Sequence, residues 1–380
     1  MAIASASTVA ATLPVFLVGA LAVQLTRDLQ FGTTALGLAV GIAQATRSAT
    51  ALLLSRFVDQ LGASRSLRIA VSAAAASGIG VATMAQSWSS FVAWLMLGAA
   101  AHALIQPAAN RYMVSRVNPE RLGTAFGIKQ SAPPASTMLA GLSVPLIAVT
   151  VGWRWAYVMA AGIALIMVMA VGRRPPPGMR APKTAIAKQK LRDRPTIVVL
   201  AFGFAFSFAA SSVIITFYVH SYAAAGGSSG LGGVLFAAAS LGVIALRIVA
   251  GIACDRFDMA PLRLCAILLG IGSMGYLSIA IGSPVTMALG LFVALMGSWG
   301  FPGVFWFALM RAYPKTPGRI TGAMAPGVLG GVIGPSVFGF IVDQTGYAAA
   351  WGFGFAVAAV AAVIMEYAAR RLRRWAPDAA

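Results

Sequence analysis

Acidic side chains are scarce in this chain. Nine Asp and Glu stand against 28 Lys and Arg among 380 residues, and charged residues of every kind make up only 10% of the sequence. A water-soluble domain needs a polar surface that this composition does not supply. Cysteine is nearly absent too: Cys254 and Cys265 are too few and too poorly placed for a disulfide framework or a thiolate metal site. His102 and His220 lie far apart in sequence, so no metal ion and no cofactor is expected. Polar stretches of any length are missing, with one exception near the middle of the chain.

Apolar residues fill the sequence instead. They reach 59%, and mean hydropathy is +0.85. About twelve apolar runs, each bounded by a short polar break, occupy 8–26, 33–55, 67–86, 89–113, 122–150, 153–172, 196–222, 229–254, 262–282, 285–310, 319–344 and 347–369. A helix needs roughly 20 apolar residues to cross the hydrocarbon core of a bilayer. Only helices or closed barrels satisfy their backbone there. The fold class is therefore an all-α polytopic membrane protein with 12 transmembrane helices. The first run has no basic segment ahead of it and reads as a span rather than a cleaved signal peptide.

A formal net charge of +19 invites a nucleic-acid reading, but the placement of the charges argues against it. Arg56, Arg65 and Arg68, then Arg111, Arg116 and Arg121, share one side if the spans alternate. Eight more cations between Arg173 and Arg194 join them, followed by Arg256 and Arg263, then Arg311, Lys315 and Arg319. Arg370, Arg371, Arg373 and Arg374 complete that set, whereas the opposite loops hold Arg27 and Arg154 alone. Such a bias marks the cytoplasmic face. Both termini are expected there, in a bacterial-type inner membrane, and nucleic acid is not an expected partner.

The polar exception, Arg173-Arg-Pro-Pro-Pro-Gly through Arg194-Pro195, reads as a cytoplasmic linker. It divides the chain into an N-terminal six-helix bundle (1–172), the linker (173–195) and a C-terminal six-helix bundle (196–380). The halves repeat one another. Pro107 recurs as Pro302, Arg116 as Arg311, Pro119 as Pro314, Gly127 as Gly322 and Gly152 as Gly346, all offset by 194 or 195 positions. Two pseudo-symmetric bundles are the plan of an alternating-access carrier, with its substrate site between them at mid-membrane.

The break between the second and third runs reads Ser55-Arg56-Phe57-Val58-Asp59-Gln60-Leu61-Gly62-Ala63-Ser64-Arg65. It resembles the signature loop of the major facilitator superfamily through Asp59, Gly62 and Arg65, although Ser55 and Gln60 depart from the pattern. A second copy, Gly251-Ile-Ala-Cys-Asp255-Arg256, stands at the matching place in the other half, and Gly152-Trp-Arg-Trp-Ala-Tyr157 is also similar to family members. The resemblance implies that Asp59, Gly62, Arg65, Asp255 and Arg256 form a latch that holds one access state closed. A carboxylate at a helix N-terminus beside an arginine is a stable arrangement for that purpose.

Charges inside hydrocarbon cost roughly 3 kcal/mol each on insertion scales, so each is a functional candidate. All nine acidic residues fall at run ends, in loops or in the tail, yet three cations lie deep within the runs. Arg47 precedes Asp59 by twelve residues, placing it ~18 Å inside its helix. Arg247 precedes Asp255 by eight, and Lys129 follows Arg121 by eight, ~12 Å inside theirs. An arginine at the Arg247 position resembles the one that anion-carrying family members use. His102, Gln106 and Asn110 recur at i, i+4 and i+8 and form one polar stripe. His102 is also a candidate for the coupling proton, since its ordinary pKa is near neutrality. Ser207, Ser211 and Trp299 complete the set of candidate pocket residues. The double proline Pro133-Pro134 after Lys129 is expected to bend its helix.

These features favour a secondary transporter for a small organic anion such as a monocarboxylate, with proton coupling and a monomeric carrier as further expectations. The alternative is efflux of amphipathic drugs or metabolites. Cationic-drug exporters usually need a buried carboxylate, and every acid here falls at a run end, in a loop or in the tail. An intramembrane enzyme would need a nucleophile–base set or metal ligands, and neither is evident.

Overall fold

In a bilayer every backbone amide must find its partner within its own segment, and the apolar runs meet that demand as helices. The computed structural model describes residues 2–114, 128–171, 193–256, 260–313 and 317–373. Side chains are described across these stretches except at 52, 54–60, 110–114, 251, 254–256 and 317–319. The expected linker falls almost wholly outside the described residues.

Twelve spans follow in order. The first six are α1 (Ala2–Ala20, continued by Ala22–Asp28), α2 (Thr33–Leu61), α3 (Ala63–Met84), α4 (Trp88–Val114), α5 (Ala132–Ser143) and α6 (Trp153–Ala170). The second six are α7 (Arg194–Ala224), α8 (Ser229–Arg256), α9 (Pro261–Ala280), α10 (Pro284–Gly300, resuming as Pro302–Ala312), α11 (Leu329–Thr345) and α12 (Tyr347–Arg373). Ten of these segments are long and apolar enough to cross a membrane by the criterion of length and composition; α2, with Arg47 at its middle, and the broken α5 complete the twelve. Their outer faces carry large exposed apolar side chains such as Leu146, Met169 and Val363, as lipid requires.

Proline sets the interruptions. At α5, Pro133 and Pro134 restart the helix after a turn at Ser131. Pro145 forces the next turn into a wider π-helical one over Val144–Ala148. At α10, Pro302 divides the helix at Phe301. Within α4, by contrast, the helix continues through Pro107. Serine and threonine hydroxyls inside the spans bond back to carbonyls one turn earlier, as Thr8 does to Ala4 and Thr216 to Ser212. The internal repeat reappears in the backbone: Gly152 and Gly346, paired in the sequence, adopt φ of 104° and 90° just before α6 and α12. Only glycine holds that conformation without strain.

The two bundles meet most tightly on the face opposite the linker, called here the far face. A Cβ on Gly37 of α2 would stand 2.1 Å from the Pro335 carbonyl oxygen of α11, and one on Gly19 of α1 would stand 2.0 Å from that of Ile215 on α7. Gly141 of α5 and Gly233 of α8 approach one another in the same way. At the rim, the Asp343 carboxylate at the end of α11 accepts from the Thr34 backbone amide at 2.9 Å and from the hydroxyls of Thr33 and Thr34 at 2.5 Å. One bundle thereby caps a helix of the other, an anion set against the positive end of a helix. Beside it His220 of α7 joins Tyr347 at 2.5 Å and Thr26 of the first bundle at 3.2 Å.

Two outcomes follow from this seam. Gly37→Val cannot be accommodated without parting α2 from α11, so purified protein should lose about 2 kcal/mol of stability and show a lower Tm. Asp343→Ala should raise amide exchange in the first turn of α2 by roughly fivefold, read by hydrogen–deuterium exchange.

Candidate functional site

The packing against prolines determines which polar groups are left over at mid-membrane. A proline has no N–H, so the carbonyl four residues earlier loses its helical partner. Pro134 orphans the Gln130 carbonyl, and Arg247 of the opposite bundle fills the gap, donating from one terminal nitrogen at 2.5 Å. Its second terminal nitrogen donates to the Trp299 carbonyl at 2.5 Å, just before the break in α10. Pro302 likewise orphans the Ser298 carbonyl, which accepts from the Ser211 hydroxyl. The two carbonyl bonds and the Trp299 ring, 5.1 Å from the guanidinium carbon, hold Arg247 as a tie between α5, α8 and α10. Its Nε remains buried without a partner.

Around this tie the structure gathers most of the residues singled out in the sequence. Arg47 is the fifteenth of the 29 residues of α2 and lies against the second bundle, its guanidinium carbon 5.2 Å from the Phe208 ring centre. No hydrogen bond or ion pair is described for it. Lys129, only 2% exposed, donates from Nζ to Gln106 Oε1. The charges of Arg47 and Lys129 both act on the His102 imidazole, so the three groups share one neighbourhood. The His102 ring packs on Phe16 at 6.1 Å, and Phe16 in turn meets Trp299 at 6.1 Å. His102 Nδ1 and Trp299 Nε1 are buried and unpartnered.

The described carboxylates stay away from this cluster. Among the described side chains, Asp28 and Asp343 sit at the far face, bonded to Trp153 and to the start of α2. Asp193 and Glu366 sit at the linker end, beside Arg371 and Arg370. Burying a charge without a counter-charge is costly, and among the described residues Arg47 and Lys129 are both in that condition. The described residues contain no group of His, Cys, Asp or Glu able to hold a metal ion.

The remaining candidates are placed differently. Ser207 donates to the Gly203 carbonyl at 2.7 Å, and both Ser207 and Ser211 are fully buried. Their hydroxyls are thus engaged with backbone rather than left free. Gly62 opens α3 with φ of 80°, and Arg65 is exposed in the first turn of that helix. The side chains of Asn110, Asp59, Asp255 and Arg256 lie outside the described residues. Phe16 and the Gln130 carbonyl were not anticipated from the sequence, whereas Phe208 stands beside the serine pair Ser207 and Ser211 in the sequence. Of the two that were missed, only the carbonyl carried a signal there, because Pro134 marks the carbonyl that must seek a donor elsewhere.

Comparison with known proteins agrees with this architecture. No curated protein sequence matches the chain. Among solved structures, a bacterial homologue of the human lysosomal transporter Spinster superposes with a TM-score of 0.71 at 16% identity, covering 98% of this chain and 95% of that one. The D-xylose–proton symporter does so with a TM-score of 0.75 at 15% identity, over 96% of each chain. A partially occluded, inward-open form of the xylose transporter XylE from E. coli reaches 0.78 at 14% identity, again over 96% of each. At these identities the likeness establishes the fold alone. The model of the Major Facilitator Superfamily matches residues 3–328, and with two six-helix bundles meeting around a mid-membrane site, the chain belongs to that family of membrane transporters.

Proposed function

We propose that this transporter carries a small organic anion, such as a monocarboxylate, by alternating access. The observation that supports this most is Arg47: a guanidinium at mid-helix, facing the opposite bundle, with no bonded partner. A carboxylate entering between the bundles would give it the charge-assisted pair it lacks. Lys129 adds a second positive charge. His102, Gln106, Asn110 and the Trp299 indole would orient the polar part, Ser207 and Ser211 would shape the wall behind Trp299, and Phe16 and Phe208 present flat apolar faces to a short hydrocarbon portion. Arg247 would act on the anion through the α5–α8–α10 tie, exchanging a carbonyl bond for a substrate bond as the bundles move.

In this reading residues 1–172 and 196–380 rock as two units joined by 173–195. The basic face, with both termini, lies in the cytoplasm of a bacterial-type inner membrane, and the carrier works as a monomer. The closure at the far face would then belong to an inward-facing state, and Asp59, Gly62, Arg65, Asp255 and Arg256 would latch the cytoplasmic side in the opposite state. Coupling to protons has a precedent in fold only, through the D-xylose–proton symporter.

The two arginines should separate by experiment. In proteoliposomes, Arg47→Ala should lower uptake of labelled monocarboxylates at least thirtyfold, since truncating one side of a buried charge pair costs ~2 kcal/mol or more. Its Tm should stay level or rise, because no protein group loses a bond. Arg247→Met should instead lower Tm, since it leaves the Gln130 and Trp299 carbonyls unpartnered. Wild-type flux in Arg47→Ala would remove the basis of the anion assignment.

A further inference from the structure

The cation cluster contains two kinds of group. Arginine does not give up its proton inside a protein, whereas lysine and histidine do. Lys129 is enclosed by the protein at 2% exposure, with its Nζ on Gln106 Oε1. The charged and titratable groups around it can be named helix by helix. His102 stands one turn from Gln106 on α4, and the charges of Lys129 and of Arg47 on α2 both act on its imidazole. Arg247 approaches from α8 through the carbonyl of the adjoining Gln130. The Ala2–Ala20 stretch of α1, packed alongside, contains no titratable side chain. No described carboxylate is among these neighbours, and Lys129 and His102 are the described groups here that can give up a proton.

We infer that the Lys129 amine is the proton carrier that couples transport of the anion, an inference that rests on the anion reading above. With a carboxylate seated against Arg47, the ammonium of Lys129 has a counter-charge and keeps its proton. When the carboxylate departs, the ammonium is left enclosed in the protein with no described counter-charge beside it. The cost of burying that unpaired charge then favours release of the proton to water on the side where the site is open. The returning carrier holds a neutral amine. On the other side it takes up one proton together with the next anion, each favouring binding of the other to the same extent. Each cycle therefore moves one H⁺ and one carboxylate, and no net charge. His102 is a poorer carrier by geometry: its Nδ1 has no partner and its ring lies on Phe16, whereas the Lys129 amine rests on an amide oxygen that accepts from either of its protonation states.

The test uses the purified full-length chain with acetate, lactate and pyruvate as probes, in weakly buffered detergent solution containing a pH indicator. Wild-type protein should take up about one proton per anion bound near neutral pH, and His102→Asn should keep that ratio. Lys129→Arg, whose charge does not titrate, should bring the ratio to about zero. In proteoliposomes a one-unit pH gradient, acid outside, should drive roughly tenfold accumulation by the wild type. An imposed membrane potential should leave that flux unchanged. A ratio near one in Lys129→Arg, loss of the ratio in His102→Asn, or potential-driven flux in the wild type would overturn the role of Lys129 while leaving the anion reading intact. If none of the three probes binds the wild type at any pH, the anion reading falls and this inference with it.

Discussion

A positive charge deep in a lipid-spanning bundle has to be answered by something, because hydrocarbon offers neither water nor counter-ions. Among the described residues of this transporter the usual answer, a carboxylate, is missing around Arg47 and Lys129, and the acids that are described stay at the two rims. The rest of the central site is arranged around that deficit. Aromatic rings lie beside the guanidinium groups, an amide oxygen holds the amine, and the ring of His102 is held against Phe16. On the function proposed here, a substrate of opposite sign would supply what these helices leave out.

The second organising element is proline. Each break in α5 and α10 leaves a carbonyl without a donor, and in a membrane that carbonyl must be satisfied from another helix. Arg247 and Ser211 do so. The kinks are thereby wired to the helices that line the site, and one wire crosses from bundle to bundle. Above this level, towards the far face, glycines let α2 meet α11 and α5 meet α8 backbone to backbone. Every hydrogen bond described between the bundles lies at the level of Arg247 or farther from the linker, as with Thr137 to Ser240 and Thr34 to Asp343. The described contacts thus belong to a state shut on one side.

Much of this was legible in the sequence, for physical reasons. Twelve apolar runs, the repeat and the family loop are global signals written over hundreds of residues, and lipid permits few architectures that satisfy them. The depth of Arg47 followed from counting along one helix. Partners were harder to read. The sequence placed Arg247 near a substrate, but its bonds to two carbonyls depend on how α5, α8 and α10 approach, which no local pattern encodes. Ser207 and Ser211 looked like pocket hydroxyls at i, i+4, yet that spacing equally serves backbone bonding, and the backbone has them. Helix ends also shifted: α1 begins at Ala2 rather than near residue 8, because small residues such as Ala2, Ala4 and Ser7 continue a helix without standing out in hydropathy.

The central claim is that Arg47 meets the charge of the substrate. Its most direct test is a structure of the wild-type protein with a bromine-labelled short-chain carboxylate, read from the anomalous signal of the halogen. The account places that carboxylate within hydrogen-bond distance of the Arg47 guanidinium, with its bromine-bearing end against Phe16, Phe208 or Trp299. A carboxylate bound elsewhere between the bundles, or a protein carboxylate occupying the Arg47 guanidinium in its place, would contradict it.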